Sequence, residues 1–242
     1  MTTEDASATH LVLLPGLDGT DVLFEPLQRH LTMPATAVAY PQDVPGSYAD
    51  LLPFVLDRLP TDREYVLLGW SFSGPLALLT AATKPPGLCG VVLAASFVRK
   101  PVFYLPRAMR FLARPFLFRH LGRFSRTKAL LGGYRSAELD DLLQRAHAQV
   151  PPDVMAGRVR ATLTVDVRRE LQDCPVPILY LGASRDFVVP RWNSRGIARL
   201  RPDVEVRTIT GPHLALATNP RAAAEELAAF VGGRRCATGD AS

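Results

Sequence analysis

Tyr65-Val66-Leu67-Leu68-Gly69-Trp70-Ser71-Phe72-Ser73-Gly74-Pro75-Leu76-Ala77-Leu78-Leu79 is the stretch on which the reading of this chain turns. Val66 to Leu68 are apolar without a break, as in a strand buried on both faces, and Leu76 to Ala82 continue as an Ala/Leu-rich helical segment. One serine, flanked by small residues, joins the two. A strand that turns straight into a helix around Gly-x-Ser-x-small forces the serine into a strained conformation with its hydroxyl pointing out of the turn. Gly69 and Ser73 are small because a larger side chain at either place would meet the neighbouring backbone. Pro75 falls in the first helical turn, where an N–H is not needed. The Phe72 N–H, at the helix N-terminus, points toward an oxyanion formed on whatever Ser71 attacks. A plain Ser/Gly-rich connection explains the same motif, so the rest of the chain has to decide.

Working outward, strand-like runs alternate with helical patterns, which predicts βαβ units and a mainly parallel sheet. Leu11 to Leu14 form the first strand, ending at Pro15-Gly16-Leu17-Asp18-Gly19-Thr20. A helix is expected over about Val22 to Leu31, a strand over Ala35 to Tyr40, and a helix over Tyr48 to Leu59 with Leu51, Leu52, Val55 and Leu56 on one face. After the serine strand and its helix, Leu88 to Ala95 is the next strand. Ile178 to Gly182 and Val204 to Ile209 are the last two, with helices over Arg191 to Leu200 and Arg221 to Val231. The fold class expected is therefore α/β, with about six strands and helices on both faces.

The alternation breaks between Phe97 and about Cys174. Some seventy-five residues without a long strand are too many for a loop, and predict a helical insertion that caps the C-terminal edge of the sheet. The expected division is a core of 1–96 and 175–242, with a cap of 97–174. Phe97 to Glu170 hold fifteen basic against six acidic residues, a net +9, while the remainder of the chain is −4. Tyr104 to Arg126 interleave apolar side chains with arginines, and Arg107, Arg110 and Arg114 share a helical face by their three- and four-residue steps. These three are the candidate substrate-binding residues. They fit a solvated face on a lid over an acyl pocket, a docking site for an acidic carrier protein or phosphate-bearing thioester, or attachment to an anionic membrane surface, the last disfavoured by the helix-breaking Pro115.

The 242 residues are 48% hydrophobic and 21% charged, as in a folded globular chain rather than a disordered or membrane-embedded one. No apolar run is long enough to span a bilayer, and the polar start Met1 to Thr9 argues against a secretory signal. Cys89, Cys174 and Cys236 have no metal-like spacing, and read as reduced thiols in a cytoplasmic protein. No metal or cofactor is expected. The basic charge comes without any motif of a nucleic-acid reader.

A serine hydroxyl is a weak nucleophile at neutral pH and needs a base that is itself oriented by an acid. Asp186, in Gly182-Ala183-Ser184-Arg185-Asp186, follows one late strand, and His213, in Thr210-Gly211-Pro212-His213, follows the final one. The order Ser, acid, His, each after a strand, puts Ser71, Asp186 and His213 on one sheet edge. Taken singly, Asp186 reads as a helix cap and His213 as a loop residue; together they complete a triad. His30, His120 and His147 lie in helical segments and His10 precedes the first strand. No carboxylate follows the strand ending at Ser96 before Glu138. The Gly-rich loop after the first strand supplies the second oxyanion donor, the Leu17 N–H, while Asp18 fixes its own loop by a local hydrogen bond.

On Leu14-Pro15-Gly16-Leu17-Asp18-Gly19, Gly69 to Gly74, Gly182 to Asp186 and Gly211-Pro212-His213, the chain resembles the α/β-hydrolase superfamily along nearly its whole length. The resemblance implies Ser71 as nucleophile, His213 as base, Asp186 as orienting acid, and Leu17 with Phe72 as oxyanion donors. Pro15 stands where many members carry His, and Ser73 replaces the second Gly of the elbow, where it is free to donate a hydrogen bond. Gly69-Trp70-Ser71 and Thr164-Val165-Asp166-Val167-Arg168 look like the carboxylesterases that cleave pimeloyl-carrier-protein methyl ester. The expected activity is hydrolysis of a carboxylic ester or thioester of a small to medium acyl group through an acyl-serine. Its alternatives are a carrier-linked methyl ester esterase or thioesterase and, from another class, a hydrolase-like binding protein without turnover.

Overall fold

The computed structural model describes residues 9–44, 46–101 and 130–232. Its strands are β1 (His10–Leu14), β2 (Ala35–Ala37), β3 (Tyr65–Trp70), β4 (Leu88–Ala94), β5 (Ile178–Ala183) and β6 (Glu205–Ile209). They form one six-stranded sheet in the order β2-β1-β3-β4-β5-β6, and every neighbouring pair is parallel. From β1 the chain runs outward to β2 and then crosses back to β3, so the winding reverses between β1 and β3. In open parallel sheets the crevice for a ligand opens at the carboxyl ends of the strands flanking such a reversal. The loop after β1 and the serine after β3 both lie there.

The unbroken apolar strands follow from burial on two sides. Leu11, Leu13, Val66, Leu68, Val92, Leu179 and Leu181 face one layer, with Phe24, Leu27, Leu227 and Phe230. Their neighbours in sequence, Val12, Leu14, Leu67, Val91, Leu93 and Ile178, face the other, with Leu51, Val55, Leu76 and Ala77. Successive side chains on a strand point to opposite faces, so a doubly covered strand has no position left for a polar residue. The edge strand β6 differs: Arg207 pairs there with Glu205 and Glu226, which keeps a charged rim on the open side of the sheet.

The helices among the described residues are α1 (Glu25–Gln28), α2 (Tyr48–Leu56), α3 (Ser73–Ala82), α4 (Ala137–Ala148), α5 (Pro152–Thr164), α6 (Arg168–Gln172), α7 (Trp192–Leu200), α8 (Ala215–Thr218) and α9 (Pro220–Gly232). The helix expected over Val22 to Leu31 is a 3-10 turn, Val22–Phe24, followed by the four residues of α1, with Pro26 in the first turn. The second strand pairs only through Ala37; beyond it the Val38 N–H donates to Leu13 O and the Tyr40 N–H to Gly19 O, so the chain leaves the sheet to line the loop after β1. A capping box of Ser47 and Asp50 starts α2.

The segment between β4 and β5 carries α4, α5 and α6. Its two ends are stitched together by an antiparallel bridge of Arg99 with Asp166 and by the Val167 N–H donating to Val98 O. Leu142, Leu143 and Ala146 of α4 join the apolar layer around α1. Arg145 reaches both carboxylate oxygens of Glu25 at 2.8 Å, and Arg29 meets Glu138 at 2.7 Å. Arg107, Arg110 and Arg114 lie outside the described residues, as does Cys236. Cys174 is a buried free thiol, whereas Cys89 is disulfide-bonded. That corrects the reduced state expected of Cys89, because spacing along the chain gives no sign of which sulfurs approach in space. Among the described residues no helix is long and apolar enough to cross a membrane.

Candidate active site

The turn from β3 into α3 holds Ser71 at φ 50°, in the left-handed region. Such a conformation in a residue with a side chain costs on the order of 1–3 kcal/mol and persists only where the surroundings enforce it. The Ser71 N–H donates to Ala94 O, and Ser96 Oγ donates to Ser71 O, so the last residue of β4 and the loop just after it grip the serine from both sides. The small neighbours have steric reasons. A Cβ on Gly69 would come within 2.3 Å of Ser73 O, and one on Gly74 within 1.9 Å of Ser96 Oγ. Ser73 uses its hydroxyl: it donates to Pro15 O and stands 2.5 Å from Tyr40 Oη. Burial pushes the Tyr40 phenol far above its ordinary pKa, so it stays protonated and donates to Ser73 Oγ.

Three residues read as a constellation converge. His213 Nε2 is 2.9 Å from Ser71 Oγ, and His213 Nδ1 is 2.8 Å from Asp186 Oδ2. Both His213 and Asp186 are buried. The other oxygen of Asp186, Oδ1, accepts from the N–H groups of Val188 and Val189, each at 2.8 Å. Asp186 therefore ties down its own loop and orients the imidazole with the same carboxylate. With Nδ1–H committed to Asp186, Nε2 is left as an acceptor facing the serine hydroxyl.

Leu17 and Phe72 both line the cavity above Ser71. Phe72 is the residue that caps α3, and its own carbonyl accepts from Tyr48 Oη. In the loop after β1, Asp18 Oδ2 accepts from the N–H and the hydroxyl of Thr20, the local bond expected of it. Among the described residues no group of three or more His, Cys, Asp or Glu stands together as ligands for a metal ion.

The cavity measures about 310 Å³ and is almost wholly apolar. Its floor is Ser71, His213, Trp70 and the loop after β1; much of its wall comes from α4 and α5, through Leu143, His147, Met155, Val159, Thr162 and Leu163. Such a chamber has room for an apolar group and offers few polar partners to hold water around the serine. Sequence reasoning did not name these wall residues. The signal was there: positions 155, 159, 162 and 163 of α5 follow the i, i+4, i+7, i+8 rule for one helix face, as 143 and 147 of α4 follow i, i+4. His147, set aside as a residue of a helical segment, is one of them.

Residues 4–226 match the model of the alpha/beta hydrolase family. The chain belongs to that family. Among curated alpha/beta hydrolase relatives, a pimeloyl-[acyl-carrier protein] methyl ester esterase of Xylella fastidiosa is 29% identical over 222 residues, covering 83% of this chain and 86% of the relative. Among solved structures, the bromoperoxidase from Bacillus anthracis superposes with a TM-score of 0.79 at 18% identity, over 94% of this chain and 93% of that one. The enol-lactonase from Burkholderia xenovorans gives a TM-score of 0.77, also at 18% identity, over 95% and 93% of the two chains. Alpha/beta hydrolases share this sheet, and the two structural likenesses speak for the fold.

Proposed function

We propose that this alpha/beta hydrolase is a serine esterase that cleaves a carboxylic ester of a small to medium acyl group through an acyl-serine intermediate. The observation that carries the reading is the unbroken hydrogen-bond line from Ser71 Oγ through His213 to Asp186. In this reading His213 Nε2 takes the Ser71 proton as Oγ bonds to the acyl carbon. The charge that develops on the carbonyl oxygen is met by the N–H groups of Leu17 and Phe72. The imidazolium, steadied by Asp186, then gives its proton to the leaving oxygen as the acyl–oxygen bond breaks, releasing the alcohol. Water enters, His213 takes one of its protons as the water oxygen bonds to the acyl carbon, and the imidazolium returns that proton to Ser71 Oγ as the acyl–serine bond breaks, releasing the acid. The segment between β4 and β5 acts as a cap that holds the acyl chain.

A narrower reading is favoured by one observation: the Xylella relative is named for the methyl ester of a pimeloyl group on an acyl carrier protein. A straight acyl chain suits an apolar chamber, and the net +9 of the segment from Phe97 to Glu170 suits an acidic carrier. One set of assays tests both levels. p-Nitrophenyl acetate and butyrate are hydrolysed by the protein and not by Ser71→Ala, and a fluorophosphonate probe labels only the unsubstituted chain. A non-catalytic binding protein would give no turnover and no labelling. If a carrier is the partner, a carrier-linked methyl ester is cleaved with a higher kcat/KM than the free methyl ester, and charge reversal at Arg110 and Arg114 removes that advantage. Equal rates would leave the esterase and remove the carrier.

A further inference from the structure

Arg158, on α5, is fully buried. A guanidinium taken out of water is costly unless its hydrogens are bonded. Here every one of its hydrogen bonds to the described residues goes to a backbone carbonyl: Asp18 O at 2.6 Å, Leu17 O at 3.2 Å and Pro41 O at 3.3 Å. Its carbon stands 5.6 Å from the centre of the Tyr40 ring, within cation–π range. The Asp18 carboxylate, turned to Thr20, acts on it only through space. Burial lowers the Arg158 pKa, yet a guanidinium stays charged throughout the working range. The slot it threads is made by two glycines with positive φ. A Cβ on Gly19 would come within 2.3 Å of its Nη1, and one on Gly46 within 2.7 Å of its Cγ.

The loop that Arg158 grips is the one offered above as half of the oxyanion hole. All five consecutive carbonyls from residue 15 to residue 19 are engaged. Pro15 O accepts from Ser73 Oγ, Gly16 O from the Gly19 N–H, and Gly19 O from the Tyr40 N–H. Of the two in the middle, Leu17 O accepts from Arg158, and Asp18 O accepts from Arg158 at 2.6 Å with a longer approach of 3.5 Å from Gln42 Nε2. A peptide plane joins one residue's carbonyl to the next residue's N–H, so Arg158 at Asp18 O fixes the plane of the Gly19 N–H; that N–H donates to Gly16 O, which shares its plane with the Leu17 N–H. An oxyanion donor works through preorganisation: it must point at the oxygen before charge develops. We propose that Arg158 is a positioning residue for the reaction, which holds the loop after β1 so that the Leu17 N–H faces Ser71, and thereby makes a competent oxyanion hole depend on α5 being docked. This rests on the serine esterase reading.

The test is the kinetics of p-nitrophenyl butyrate hydrolysis in Arg158→Met and Arg158→Lys, with phenylboronic acid as a tetrahedral mimic. Loss of one oxyanion donor costs about 100- to 1000-fold in kcat, so loosening one costs about tenfold or more. In Arg158→Met we expect that fall in kcat, KM within about twofold, and a comparable weakening of phenylboronic acid inhibition, with the folded fraction unchanged by circular dichroism. Arg158→Lys, which still brings a cation to one carbonyl, recovers part of the loss. Should Arg158→Met not fold, Gly46→Ala displaces the arginine stem from outside the oxyanion loop and is expected to give the same split. A folded variant with unchanged kcat and boronate affinity overturns the proposal, as does a rise in KM alone, which would make Arg158 an anchor of the cavity wall. Absence of ester hydrolysis in the unsubstituted protein overturns the esterase reading and this proposal with it; normal hydrolysis in Arg158→Met overturns this proposal alone.

Discussion

The sheet and the segment between β4 and β5 are held together by different physics. Around the sheet, contact is apolar and so close that a single methyl group is excluded by backbone at Gly69 and by the Ser96 side chain at Gly74. The inserted helices add charged and polar links to their apolar contacts: Arg145 to Glu25, Arg29 to Glu138, and Arg158 to the loop after β1. Ser71, Asp186 and His213 all stand on the first region, while much of the cavity wall comes from the second. Groups that must keep to fractions of an ångström belong on the scaffold that cannot yield; a cavity wall can rest on elements fastened in part by exposed ion pairs, for whose bonds water competes.

If this contrast is right, the largest effect follows from disturbing the sheet beside the serine. Gly69→Ala sets a Cβ against Ser73 O, a backbone atom with nowhere to go. We expect p-nitrophenyl butyrate hydrolysis to fall by at least about 100-fold through misplacement of the nucleophile, with the melting temperature also lowered. Normal turnover would mean that the elbow gives way. Next comes Leu143→Ala on α4, which enlarges the cavity and costs about 2–3 kcal/mol of stability in urea unfolding, toward the lower end for a buried leucine because the wall can relax. The optimum acyl length should move to longer chains, while the rate of fluorophosphonate labelling stays close to that of the unsubstituted protein. A fall in labelling as large as that in Gly69→Ala would erase the distinction.

The smallest effect is expected at the ion pairs. Arg145 holds the Glu25 carboxyl below its usual pKa, with Arg29 adding to the pull. The folded form therefore binds the proton less readily than the unfolded one, and Glu25 stabilises fully above the ordinary glutamate value of 4.5 and ceases to do so as pH falls through its lower folded value. Glu25→Gln should leave the melting temperature nearly unchanged at neutral pH, because exposed pairs are screened, and should flatten its decline below pH 4.5. Thermal melts of both proteins between neutral pH and pH 3, at low and high salt, would show the two curves converging in acid.

What the sequence disclosed and what it hid divide along the same line. Ser71, Asp186 and His213 were legible because each follows a strand, and in a parallel sheet that alone determines which edge a residue occupies. The strands themselves were legible because double burial leaves them without polar residues. β2 reads longer than it is because Val38 and Tyr40 are apolar for another reason, that of backing the loop after β1. The helix after β1 breaks into a 3-10 turn and α1, although its apolar residues are all buried. Arg158 was hidden most thoroughly. On an amphipathic helix with Arg160 nearby it reads as one more solvated cation, and the two glycines that make room for it stand more than a hundred residues away.

Ser73 carries one more consequence. Its hydroxyl connects the first turn of α3 to Pro15 at the start of the loop after β1, with Tyr40 behind it. In the proposed reaction, the helix beside the attacking oxygen and the strand end beside the developing charge are thus clasped by a single shared atom. Any thermal sway of one element relative to the other is carried by both together, so the gap between attacker and receiver keeps its width even as the surrounding surface breathes.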